Sequence, residues 1–479
     1  MENNTHIFTF NDDDSEVRVR KFTGAGSSFC RRFKVPGSKS ITNRALLLAV
    51  LSDREVTLHG AALSDDSEAF IDCLKSLGIS VTEPDPEDPQ LIRVNGCRGD
   101  LPSVSSPVSS KGSVSTVNVC SAGTAARFIT ALLGIQRGTY RIEASEQMQK
   151  RPMKELFDVL VSLGTRIRYE GTKDFLPAVI SGDVVAENLN SPDFYQGLSI
   201  KLNIDRSSQF LSALLMVLPV ISHDFCIELT GKREAQSYVT MTRQMMERFG
   251  FTGTITRTGR YGEPDENGNV YHVKYDTEYP YELKSDDYYI EPDVSAACYF
   301  YAMAAANNIK AGIANMKKDS LQGDMCFIKL LGSMGCRLEW EDTLYVTGPG
   351  KLSGLDIDMS DFSDQALTLA AIAPFCSGPV NIRGIGHIRK QECDRIHAII
   401  ENLNGLGIKA AEGPDSVRVY PGSPKCGIIN TFGDHRVSMS FALTAMTAGG
   451  IVIKDPLCCR KTFPDFYRVA SGFSDYEAK

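Results

Sequence analysis

No Cys-x-x-Cys pair occurs in the chain, although 13 cysteines are spread through its 479 residues. An odd, scattered set without that spacing excludes a zinc ribbon and a disulfide framework, and fits a reducing compartment. The adjacent Cys458-Cys459 reads as a pair of strand residues rather than as ligands. No apolar run reaches bilayer-spanning length. The opening MENNTHIFTFNDDDSEV has neither the basic nor the apolar region of a signal peptide. A cytoplasmic chain that binds no membrane is expected. Positive charge is not in excess: a net charge of −8 opposes a general nucleic-acid binder, and no base-stacking motif supports one. The remainder is ordinary for a globular protein, 42% hydrophobic and 23% charged, with length for roughly two to four domains.

What the chain does hold is a set of recurring stretches. The clearest is Val35-Pro36-Gly37-Ser38-Lys39-Ser40-Ile41-Thr42-Asn43-Arg44, which runs into the apolar Ala45-Leu46-Leu47-Leu48-Ala49. A Pro-Gly turn delivers serines and two cations to the start of a helix. That end carries unpaired N–H groups and the positive end of the dipole, so it is an anion-site candidate. It is not a Walker A loop, since Lys39 follows Ser38 and the upstream glycine is missing. The nearby Arg31, Arg32 and Lys34 read as the solvated edge of a strand.

One pattern then repeats. A helix rich in small and apolar residues is followed by a β-branched strand, a charged loop and an amphipathic helix. That second helix ends in an apolar-Gly pair. Gly78, Gly164, Gly250, Gly335 and Gly407 are spaced by 86, 86, 85 and 72 residues, and a sixth unit reaches the C-terminus. Glycine there suits a left-handed helix cap. The six helix openings are Lys39-Ser40/Arg44, Gly123-Thr124/Arg127, Ser207-Ser208-Gln209, Glu291/Asp293, Asp364 and Asp434-His435-Arg436. Three units per lobe predict two similar mixed α/β lobes whose small-residue helices are buried in the middle. The expected division is residues 1–36 with 291–479, and 37–290. The Gly- and Tyr-rich segment 255–290 breaks the pattern, as a long hairpin or a surface insertion. If all six buried helices aim their N-termini at one cleft, that cleft is positive and suits polyanionic substrates, and the lobes are expected to close on them.

Taken singly, each stretch has a plainer reading. Ser207-Ser208-Gln209 and Gly123-Thr124 also serve as helix starts, and Asp364 and Asp434 as N-caps. His435 also fits a packed histidine, Arg395 half of a helical ion pair, Lys461 a loop charge, and Arg151 a solvated charge beside Pro152 at a helix start. Recurrence at one phase of the repeat favours the functional reading.

PGSKSITNRALLLA, SAGTAARF, RPM, SSQFLSALLM, a tyrosine before a helix at Tyr238, SDQALT, ECDR, DHR and KTFPD occur in this order. Over residues 34–470 the sequence thereby resembles the 5-enolpyruvylshikimate-3-phosphate synthases, members of the enolpyruvyl transferases. The resemblance implies two lobes of three βαβαββ units each, an inside-out α/β barrel. It implies transfer of the enolpyruvyl group of phosphoenolpyruvate to the 5-hydroxyl of shikimate-3-phosphate by a monomer, with no metal and no organic cofactor. It places Lys39, Gly123, Arg151, Gln209, Arg395, Arg436 and Lys461 at phosphoenolpyruvate. Lys39, Ser40, Arg44, Ser207, Ser208, Gln209, Asp364 and Gln391 fall at shikimate-3-phosphate. Asp364 matches the proton acceptor, and Glu392 and Lys39 are the two candidates for the acid. Three positions depart from the family pattern: Gln391 stands where the family has lysine, Ala235 where it has serine, and His387 where it has asparagine. All three fall on the acceptor side, which implies weaker acceptor binding or a changed acceptor.

Overall fold

The structure is a computed structural model that describes residues 6–24, 29–82, 88–102, 114–188, 195–231, 236–259, 263–265 and 268–473. It separates into two compact units, Lys39–Ile290 and Met1–Ser38 with Glu291–Lys479. Each contains three small sheets.

Five of the six sheets share one strand pattern. The strand after a buried helix sits inside the sheet, with a parallel strand on one side and two antiparallel strands on the other. Thr139–Glu143 pairs in parallel with Val114–Asn118 and antiparallel with Ala178–Ser181, which pairs with Arg166–Tyr169. Asp224–Leu229, Lys310–Ile313 and Val380–Arg383 hold the same place in their own sheets. Ile451–Lys454 does so too, with its two antiparallel strands supplied by Glu16–Val19 and Phe8–Phe10 from the beginning of the chain. In the sheet of Glu55–His59 the fourth strand is reduced to one bridge, Val81 to Val94. No sheet closes on itself among the described residues, so the inside-out barrel takes the form of six separate small sheets.

The helices sort as the repeat predicts. Gly123–Gly134 is buried at every residue, as is Ala366–Ile372. Lys39–Leu51 is buried from Ile41 onward and Gln209–Val217 from Phe210 onward. Within each unit the three buried helices touch one another. Small side chains allow that close approach, and Thr444 Oγ1 donates across helices to the Ala371 carbonyl at 2.7 Å. Each amphipathic helix that ends at an apolar-Gly pair is followed by glycine at positive φ, from +75° at Gly407 to +110° at Gly164.

Some local expectations shift. Cys458 and Cys459 lie in a 3-10 turn, Pro456–Lys461, because Pro456 and the left-handed Asp455 end the strand before them. Tyr238 lies in the first turn of the helix Gln236–Arg248 rather than before it. Segment 255–290 contains a hairpin, Thr254–Thr258 with Val270–Lys274, and then the strand Asp287–Tyr289. Cys30–Phe33 is an outer strand, with Arg32 paired to Asp342. No helix among the described residues is long and apolar enough to cross a membrane.

Candidate functional site

In the unit Lys39–Ile290, three helix starts carry the predicted residues. Lys39 opens the first helix, and its Nζ lies 2.9 Å from Asp66 in the first turn of Asp65–Ser76. Arg44, one turn on, is buried. Nε donates to Thr242 Oγ1 at 2.8 Å, Nη1 to the Ser40 carbonyl at 2.9 Å and Nη2 to Ser212 Oγ at 3.0 Å. Its guanidinium also lies 5.7 Å from the rings of Phe128 and Tyr238. Burial lowers its pKa to about 10. Gln209 Nε2 donates to Thr124 Oγ1 at 3.1 Å, so the openings of the second and third buried helices meet. Ser207 accepts from the Gln209 amide at 3.3 Å, and Ser208 is the N-cap of that helix.

Arg151 packs directly over Gly123. A β-carbon on Gly123 would lie 2.9 Å from Arg151 Cζ and closer still to Nη1. Arg127 is buried behind them rather than open to a ligand, donating to the Gly123 carbonyl at 3.1 Å and the Pro152 carbonyl at 3.3 Å. Burial, with Arg151 adding repulsion, holds its pKa well below the usual guanidinium value. Gly123→Ala should therefore displace the flexible end of Arg151 without unfolding the chain. We expect KM for phosphoenolpyruvate to rise about 10-fold or more, the loss of one charged contact, with Tm little changed. Steady-state kinetics and a thermal melt would check both.

The other unit gathers Asp364, Gln391, Glu392, Arg395, Arg436 and Lys461. Asp364 sits in the 3-10 turn Ser363–Gln365 that leads into the buried helix Ala366–Ile372. One carboxylate oxygen lies 3.0 Å from Arg395 Nη1 and the other 3.0 Å from Arg436 Nη2. Arg395 opens its own helix and turns to Asp434, with Nε to Oδ2 at 2.8 Å. Asp434 caps the helix of Arg436, accepting its amide at 2.8 Å. Burial pulls the Arg395 pKa down, but Asp434 and Asp364 outweigh it and hold it above the ordinary value. Glu392 accepts from His435 Nδ1 at 2.8 Å and lies 2.9 Å from Lys461 Nζ. Burial pushes the Glu392 carboxyl up, yet His435 and Lys461 outweigh it and hold it well below the usual carboxylate range. Glu392 is therefore ionised here and must receive a proton before it can give one. Glu392, Asp434 and His435 offer three ligand atoms within 4.8 Å of one another. Lys461 and Arg395 already bond these carboxylates, and their charges oppose a metal ion there.

The departures from the family pattern also have positions. Gln391 turns its side-chain carbonyl onto Arg395 Nη1, while Lys390 is exposed. His387 Nε2 is 2.7 Å from Ser363 Oγ, beside Asp364. Ala235 lies outside the described residues. Sequence reasoning missed Asp66, Ser363 and Asp324, and read Asp434 as a cap. A signal was available for two of them. Asp66 and Asp324 both stand at the opening of an amphipathic helix, at one phase of the repeat, and each bonds the first turn of the preceding buried helix.

The profile of EPSP synthase (3-phosphoshikimate 1-carboxyvinyltransferase) matches residues 26–469. A protein of Trichormus variabilis named 3-phosphoshikimate 1-carboxyvinyltransferase is 41% identical over 437 residues, covering 91% of this chain and 94% of that one. A protein of the same name from Nostoc sp. gives the same identity and coverage. The EPSP synthase of Acinetobacter baumannii superposes with a TM-score of 0.73 at 20% identity, over 95% of this chain and 97% of that one. The enolpyruvyl transferase NikO of Streptomyces tendae gives 0.67 at 16%, over 96% of each. These two structures speak for the fold alone. With a profile match over nearly the whole sequence and relatives 41% identical along it, this chain belongs to the EPSP synthase (3-phosphoshikimate 1-carboxyvinyltransferase) family.

Proposed function

We propose that this chain transfers the enolpyruvyl group of phosphoenolpyruvate to the 5-hydroxyl of shikimate-3-phosphate and releases phosphate. The observation that carries the reading is the sharing of Asp364 between Arg395 and Arg436. A base for the hydroxyl proton and two guanidinia for an anionic partner stand in one cluster. Lys461 at Glu392 supplies a further cationic contact in the same unit.

In this reading Asp364 accepts the hydroxyl proton as the oxygen bonds to the substituted carbon of phosphoenolpyruvate. The methylene carbon takes a proton from Lys39 or from Glu392 once protonated. Breaking the carbon–phosphate oxygen bond and losing one methyl proton restores the double bond. Arg395, Arg436 and Lys461 stabilise the charge on the departing phosphate. The form proposed is a monomer acting in the cytoplasm.

Gln391 supports a second reading, the same chemistry on a related acceptor. Its side chain faces Arg395 where the family has a lysine for the acceptor. Phosphate release with both substrates, and with neither alone, is the expected result. Silence at high enzyme concentration would defeat the first reading. Release with another hydroxylated acceptor and not with shikimate-3-phosphate would favour the second.

A further inference from the structure

Asp324 is a carboxylate that the roles given above do not use. It stands before the helix Met325–Ser333, yet its side chain does not cap that helix. The side chain turns inward and the residue is 8% exposed. Its Oδ2 accepts from Ser295 Oγ, in the first turn of the buried helix Val294–Asn307, and from Gln365 Nε2 at 3.0 Å. Gln365 is fully buried, directly follows Asp364, and accepts in turn from Thr368 Oγ1 at 2.9 Å. Both donors to Asp324 are neutral, and no cation lies within ion-pair distance of it among the described residues.

We propose that Asp324 is a positioning residue for the reaction: through Gln365 it fixes the turn that presents Asp364, and its buried charge opposes Arg395 and Arg436 there. This rests on the assignment of Asp364 as base. Two guanidinia at 3.0 Å stabilise the ionised form of Asp364 and so weaken it as a proton acceptor. A second negative charge fixed nearby offsets that effect.

The charged and titratable groups facing Asp324 are Arg436 on the helix His435–Ala448, Asp364 on its turn, Cys298 on Val294–Asn307 and Cys326 on its own helix. Burial is the largest influence on Asp324, and Asp364 adds to it. Arg436 and the two donors oppose them, leaving its pKa at about 6. Asp324 is thus charged above that value and neutral below it, and its help to Asp364 fades as pH falls.

The test is the pH profile of kcat/KM for phosphoenolpyruvate with full-length Asp324→Asn and Ser295→Ala. Asp324→Asn removes the charge that opposes the two guanidinia. Above about pH 6, where wild-type Asp324 is charged, kcat/KM should fall several-fold with KM for phosphoenolpyruvate not raised, and the acid limb that wild type shows near pH 6 should be lost. Ser295→Ala removes one donor from ionised Asp324, raising the pH at which Asp324 is neutralised. The limb near pH 6 should move to higher pH, and this variant decides the matter if Asp324→Asn fails to fold. Lower Tm with unmoved limbs, against an active wild type, would reduce Asp324 to a structural contact and overturn the inference alone. A wild type that releases no phosphate would overturn the functional reading and this inference with it.

Discussion

Asp364→Asn should lower kcat by about 10²–10⁴-fold, the contribution of a positioned general base, without raising KM for phosphoenolpyruvate. The amide keeps the size of the side chain but accepts no proton at neutral pH. It also removes the negative charge that Arg395 and Arg436 share, each at 3.0 Å. Both guanidinia are then freer to meet an anion, so binding of phosphoenolpyruvate should hold or tighten. A fall in kcat with KM unchanged or lower is the mark of a group acting in the transition state. A loss in KM alone would make Asp364 a binding residue and remove the base from the proposed reaction. The side chain is 19% exposed, so the fold should tolerate the change. Equal melting curves for the two proteins would exclude misfolding as the cause.

The second large effect is on stability. Arg395→Ala should destabilise its unit by about 3–5 kcal/mol, the usual result of removing one partner from a buried ion pair. Asp434 has no exposed surface, and Arg395 bonds it through Nε and Nη2. Without Arg395 that carboxylate keeps the Arg436 amide and the Cys393 thiol, neither of which carries a full charge, and His435 Nδ1 only at 3.8 Å. Adding Asp434→Asn should recover much of the loss, since asparagine still caps a helix and leaves no buried charge. The double-mutant cycle measures that coupling directly. Additive losses would mean that the pair contributes no mutual energy. Activity should stay low in the double variant, because Arg395 also meets Asp364.

The repeat was legible because it is written in local terms. Gly78, Gly164, Gly250, Gly335 and Gly407 each end a helix at positive φ, and that requirement shows in single residues. The helices Gly123–Gly134 and Ala366–Ile372 announce their burial by lacking charge on almost every face. Pairings between distant stretches were not legible. Nothing in Glu16-Val17-Arg18-Val19 names Ile451–Lys454 as its partner strand. Within the candidate site the residue types could be read but not their contacts. The sequence places Lys39 at a helix opening, and the family resemblance alone brings in Arg395 and Glu392. Only packing decides that Lys39 meets Asp66, that Arg395 spans Asp364 and Asp434, and that Glu392 lies between His435 and Lys461. Cys458 misled because strand preference could not compete with a proline two residues earlier.

The strands Phe8–Phe10 and Glu16–Val19 are translated long before their neighbour Ile451–Lys454. The unit Lys39–Ile290 is one unbroken stretch, complete in the nascent chain while the rest of its companion is still being synthesised at roughly 5–20 residues per second. For those seconds the early strands must wait with unpaired edges. Their brevity and the charges of Glu16, Arg18 and Arg20 guard them against pairing with another copy during the delay.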